Sequence, residues 1–382
     1  MRSEFDAVIR RPIDRRTLLK YMAMAGGMGV LAACRKNVAS QEGTGTGETG
    51  SGRPSLEDEP GTLHVYEWAG YEAKWLWRDY AKSGYAEPRF AFFTNTEQAI
   101  AKTAGGYGWD VSHPETEYIQ DYVNLDLIQP WDTSLLSNWV DLNPALQEHG
   151  QLDGKQYEIV LDWGYSGVII RNDHVDPSIN SYSYLFDDAY AGRISWYDTP
   201  WIIIQAALVL GVESPIFDMT EADLNAAKDY CIQKKKNVHS IWVDYTQMWD
   251  DVRQGNVWAA YAWQDTWMVL REEAPVSYIK PKEGVLSWAE GFVLHKEAEN
   301  YYHAHEYADA WAAPEVGSRM TSSWGYGHSN LKVDISQLDP EVVQVFGLDD
   351  PVAALSEPAS LFGQYLPNRD AYNRAWDEVK AA

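Results

Sequence analysis

The chain has 382 residues, with 31 Lys and Arg against 56 Asp and Glu, for a net charge of -25 at pH 7. That length suits about two domains with a full apolar core, and 45% hydrophobic with 13% aromatic residues excludes a wholly disordered chain. Such acidity excludes a nucleic-acid backbone as partner, because that binding is driven by Lys and Arg; it fits a cationic ligand, or simply solubility in a salty habitat.

Eighteen Trp and 24 Tyr outnumber 9 Phe, a balance suited to faces that meet polar or cationic ligands. Cys34 and Cys231, the two cysteines, are too few for a disulfide framework or a cysteine zinc site. Near the start, Arg15-Arg16-Thr17-Leu18-Leu19-Lys20 leads into a short apolar run from Tyr21 to Ala33. A basic head with so short an apolar stretch is a secretory signal, not a membrane span. The paired arginines resemble a twin-arginine export signal. The run ends in Leu31-Ala32-Ala33-Cys34, which resembles a bacterial lipobox, so residues 1–33 are expected to be removed and Cys34 to carry lipid. Their removal takes away six basic and three acidic residues and leaves a net charge of -28. Residues 34–60, rich in Gly, Ser, Thr and Glu, read as a flexible tether. Cys231 is then the sole thiol of the body and is expected in its core.

The body opens on an alternating run, Thr62 to Trp68, which predicts a strand ending at Ala69-Gly70. A helix is predicted from Glu72 to Ser83 with Trp75, Leu76 and Tyr80 on one face, and a strand at Arg89–Phe93. Glu97–Thr103 reads as a short helix stopped by Gly105-Gly106, and Trp109-Asp110-Val111 begins another strand. Further along come a β-prone run at Val168–Ile170, an apolar helix at Ile202–Leu210, strands at Trp258–Trp263 and Phe292–Leu294, and a last helix at Asp370–Lys380. Strands alternating with helices predict an α/β fold with largely parallel sheets.

Several of these segments together resemble the extracellular solute-binding proteins of ABC importers, most closely the spermidine/putrescine-binding branch. The resemblance starts at Tyr66-Glu67-Trp68-Ala69-Gly70-Tyr71 and continues in order. Next come Trp109-Asp110-Val111 with Pro114, then Trp163-Gly164 followed by Val168–Asp173. Trp263-Gln264, Pro281–Gly284, Trp288-Ala289-Glu290 and Gly325-Tyr326 with Asn330 complete it. It covers about three hundred residues; no single motif is specific, but their order and spacing are. It implies a two-lobed, type 2 periplasmic-binding-protein fold, with strands crossing between lobes and a ligand cleft. The lobes are expected at 61–165 plus about 291–337, and at 166–290 plus about 338–382.

The resemblance also implies a site. Rings of Trp68, Tyr71, Trp263 and Trp288 would box a small organic cation, and Glu290, Asp198 and Glu115 would bind its ammonium groups, replacing lost hydration. Asp198 is equally placed to cap the helix beginning near Thr199-Pro200, and Glu115 and Glu117 equally to be solvated loop acids. The chain departs from the family pattern in having Glu115 and Glu117 where Ser and Tyr are usual, and Trp201 where an acid is usual. The implied partners are a polyamine such as putrescine or spermidine, and a membrane permease. The implied state is a lipid-anchored monomer outside the cytoplasmic membrane. Quaternary amines, amino acids and sugar-like solutes are the alternative ligands.

No cofactor or metal is expected. His303 and His305, the closest histidine pair, point to different faces of a helix, and no catalytic or phosphate-binding motif is present. A secreted carbohydrate-active enzyme using Asp198 and Glu290 as paired carboxylates is the rival from another class.

Overall fold

The first alternating run folds as β1 (His64–Trp68), its Val65 and Tyr66 buried and its ends more open. Two parallel neighbours flank it, β2 (Arg89–Phe93) and β3 (Val111–Ser112). The computed structural model describes residues 55–355 and 360–382, so the export signal and Cys34 lie outside the described residues. The described residues belong to one compact unit.

After β4 (Ile128–Gln129) and a small hairpin of β5 (Gln151–Leu152) and β6 (Lys155–Gln156) comes β7 (Glu158–Arg171), buried along its whole length. The second group of strands is β8 (Ile194–Tyr197), β9 (Val238–Trp242), β10 (Ala259–Ala262) and β11 (Val276–Ile279). The chain then returns through β12 (Val285–His295) and ends with β13 (Gly327–His328) and β14 (Ser360–Phe362). The sheet order is β2-β1-β3-β12-β7-β10-β8-β9.

Two long strands, β7 and β12, lie at the middle of the sheet order. The first part of β7 pairs antiparallel with β12, from Glu158 opposite Val293 to Ser166 opposite Leu286. From Gly167 onward the same strand pairs with β10 and β11. Within each half the flanking pairs β1–β2, β1–β3, β8–β9 and β8–β10 are parallel. Strands covered on both faces need continuous apolar runs, and Val168-Ile169-Ile170 is such a run. The rest of β7 carries Glu158, Asp162 and Gly164, which hides it from a pattern search.

The predicted helix at Glu72–Ser83 shrinks to Arg78–Lys82. The Trp77 indole N–H donates to the Glu72 carbonyl at 3.1 Å, and the Leu76 amide donates to Ala73, so the first turns form a loop. The end of the tether is also docked. Glu59 is buried and accepts the amides of Tyr302 and His303 at 2.7 and 3.0 Å, satisfying free donors at the start of the helix Tyr301–Trp311. The other predicted helices form as Thr96–Ala104, Trp201–Leu210 and Arg369–Ala381. Cys231 is buried, its thiol pushed well up by burial.

Candidate ligand-binding site

Acids and rings converge where β7 and β12 cross beside the ends of β1 and β3. In β7, Gly164 lies opposite Trp288, and Asp162 opposite Glu290. A Cβ on Gly164 would stand 2.3 Å from Trp288 Cζ2 and 2.4 Å from Gln264 Oε1, so only glycine admits the indole here. The β12 register slips between Glu290 and Gly291, and a Cβ on Gly291 would meet the Ile159 carbonyl at 2.3 Å. That bulge re-aims Glu290 and sets it in a β-bridge with Glu115, just beyond β3.

Under Glu290 lies a buried charge chain. His113, Glu67 and Asp162 are fully buried. His113 Nδ1 lies 3.1 Å from Glu67 Oε1, and Nε2 lies 3.1 Å from Asp162 Oδ1. The Tyr71 hydroxyl donates to Asp162 Oδ2 at 3.1 Å. Burial opposes a charged imidazole, yet the charge of Glu67 and the hydrogen bonds of both acids outweigh it and hold His113 well above its usual value. Burial lifts Glu67 despite the neighbouring imidazolium.

Glu290 has no hydrogen-bond or ion-pair partner among the described residues. Burial first, then Asp162, push its carboxyl well above the usual range. Ligand atoms of His113, Asp162 and Glu290 all lie within 4.8 Å of one another. A metal could use them only if His113 gave up the Nε2 proton that faces Asp162.

Farther along, Glu115 accepts from the Thr96 hydroxyl, and Glu117 is buried with Oε2 unpartnered among the described residues. Burial pushes Glu115 to about 7, with the Glu97 charge adding to the rise. Burial, then repulsion by Glu115, pushes Glu117 to about 8.

Rings wall the same region. The Tyr71 ring lies parallel to that of Trp311 at 5.9 Å, and Trp288 meets Tyr326 edge-on at 4.9 Å. Trp263, partly exposed, is edge-on to Tyr197 at 5.1 Å and to Trp242 at 5.3 Å. Trp68 contacts Phe93 at 4.4 Å and keeps an unpartnered indole N–H. Asp265, pushed to about 7 by burial, sits beside Tyr326.

Of the expected residues, Tyr71, Glu115, Trp288 and Glu290 are brought to this crossing, with Trp68 at the end of β1 beside it. Trp263 begins the helix Gln264–Leu270 on the β10 side. Asp198 does not join them. Its Oδ1 accepts the Trp376 indole N–H at 2.7 Å and pairs with Lys380 at 3.0 Å, so it anchors the last helix. It does not cap the following helix either, whose N-cap is Pro200. Glu117 is no solvated loop acid but buried. Sequence reasoning missed Glu67, His113, Asp162 and Asp265. The available signal was four titratable residues in or beside matched motifs, Glu67 and Asp162 inside strands, His113 before Pro114 and Asp265 after Trp263-Gln264, where charge is costly unless used.

A family model described as bacterial extracellular solute-binding protein matches residues 93–344. The Spermidine/putrescine-binding periplasmic protein of Escherichia coli is 26% identical over 290 residues, covering 75% of this chain and 82% of that protein. Among solved structures, a putative spermidine/putrescine ABC transporter protein from Listeria monocytogenes superposes with a TM-score of 0.72 at 23% identity, covering 84% of this chain and 99% of the other. A Treponema pallidum lipoprotein superposes with a TM-score of 0.70 at 16% identity, covering 83% and 99%.

Proposed function

Since the chain belongs to the bacterial extracellular solute-binding proteins, in their spermidine/putrescine-binding branch, we propose that it captures a small organic cation of the polyamine type and hands it to an ABC permease. Its relatives are solute-binding proteins and not enzymes, so Asp198 and Glu290 are not a catalytic pair. The observation that carries the ligand class is Glu290, a buried carboxylate with no partner among the described residues, flanked by Tyr71, Tyr326 and Trp288. An alkyl ammonium answers that environment: its charge meets the carboxylate while its methylenes and cationic end meet ring faces.

The division into lobes at 61–165 plus about 291–337, and 166–290 plus about 338–382, is part of this reading. It is supported by the change of partners along β7 at Ser166 and Gly167. Export by a twin-arginine signal and lipid attachment at Cys34 rest on the N-terminal sequence, and a lipoprotein with the same fold gives precedent.

Calorimetric titration of the purified chain with putrescine, spermidine, betaine, amino acids and sugars tests the reading. Heat with the polyamines, weakened at least about tenfold by Glu290→Gln, is expected. Binding only to a neutral solute or a zwitterion would overturn it.

A further inference from the structure

Resting on the reading of Glu290 as the anchor for one ammonium group, we propose that Glu115 and Glu117 form a second cation subsite. It would take the next ammonium group of a linear diamine or polyamine, which makes charge number the property this receptor selects.

The geometry starts from the bridge between Glu115 and Glu290, which sets the two acids side by side on adjoining segments. Glu117 lies two residues on, only 6% exposed, with Oε2 lacking a hydrogen-bond partner among the described residues. Its carboxylate and that of Glu115 repel each other. Two facing acids in a buried setting are unfavourable unless a cation lies between them or a proton is retained.

The Arg369 charge favours the ionised form of both acids but forms no bond to either carboxylate. Arg369 stacks on the Tyr118 ring at 3.7 Å, donates to the Glu117 backbone carbonyl at 3.1 Å, and approaches Asp121 Oδ2 at 3.5 Å. Its guanidinium is held by those groups and is bonded to neither the Glu115 nor the Glu117 carboxylate.

An indole edge borders the pair. A Cβ on Gly363 would lie 3.1 Å from both Glu117 Oε2 and the Trp201 ring, so both groups pack closely against the Gly363 backbone. The Tyr197 and Tyr261 hydroxyls, from β8 and β10, feel the charges of Glu115 and Glu117 respectively. Glu117, from the segment after β3, and Trp201, from the helix after β8, pack against the same Gly363, so the subsite draws on both groups of strands. A ligand bridging Glu290 and this pair would touch both.

The test is calorimetric titration of the full chain and of Glu117→Gln and Glu115→Gln with 1-aminobutane, putrescine and spermidine. The unaltered protein should bind putrescine at least about tenfold more tightly than the monoamine. Each variant should lose about tenfold or more for putrescine, and less than about threefold for 1-aminobutane. Equal losses for both ligands, or none, would overturn the subsite. Glu290→Gln should weaken both ligands. If the unaltered chain binds no amine, the polyamine reading itself falls; if it binds putrescine no better than 1-aminobutane, only the subsite falls.

A second measurement does not depend on a variant. Repeating the putrescine titration near pH 7 in buffers of different ionisation enthalpy should show net proton release, reduced in Glu117→Gln. Release of no protons would overturn the pairing. Melting curves separate a folding defect: affinity lost while the melting temperature holds or rises is the expected pattern.

Discussion

Nε2 of His113 lies 3.1 Å from Oδ1 of Asp162, which ties the segment after β3 to the crossing strand β7 directly beneath Glu290. Through Nδ1 the same ring reaches Glu67 at the end of β1, so one imidazolium holds three segments of the site together. Buried charges so arranged are positioning devices. They consume Glu67 and Asp162 internally and leave Glu290 without a bonded partner among the described residues.

Replacing His113 removes the only cation from that chain. His113→Leu should destabilise the free protein by about 3–5 kcal/mol, because two buried carboxylates lose their partner. Urea unfolding measures it; a change within experimental error would show that the ring is uncharged. The sign with pH follows from the raised value of His113. Its contribution is fully present below the unfolded value of about 6.5 and is lost only as pH climbs through the higher folded value.

Glu115 and Glu117 give a second pH dependence, of both binding and stability. Their raised values, about 7 and about 8, mean that the free site retains protons where the unfolded chain has lost them. Stability of the ligand-free protein should therefore fall as pH rises from about 4.5 to 8. Affinity for putrescine should rise over pH 6–8, because the cation favours the ionised acids. A flat affinity profile in that window would contradict the assignment.

Gly164 is where the β7 backbone meets the Trp288 indole. Gly164→Ala places a methyl group 2.3 Å from Trp288 Cζ2, so the indole must move. We expect a cost of about 1–3 kcal/mol from overpacking, with weaker polyamine binding and altered tryptophan fluorescence. Unchanged melting and affinity would mean that Trp288 has freedom the packing does not show.

Asp198 should affect stability and not recognition. Asp198→Asn weakens the bond from Trp376 and the ion pair with Lys380, both partly solvent-screened, for a loss of about 1 kcal/mol. Putrescine affinity should stay within about twofold. A large loss of affinity with intact melting would return Asp198 to the ligand.

The order of local patterns was legible without coordinates. Alternation marked β1, the apolar run Val168–Ile170 marked part of β7, and the glycines after Thr103 marked the end of a helix. The spaced motifs around Trp68, Trp163, Trp263 and Trp288 placed the chain in its family. Such features depend on neighbours in the chain, which one sequence displays. The acids were another matter. Asp198 and Glu290 are both partly buried acids in a matched motif, yet one is bonded by Trp376 and Lys380, about 180 residues away, and the other has no bonded partner among the described residues. Likewise Glu117 reads as a loop acid until Gly363 and Trp201 close over it. Whether a carboxylate is free, paired or protonated depends on contacts between distant segments and on exclusion of water, and only the tertiary structure decides those.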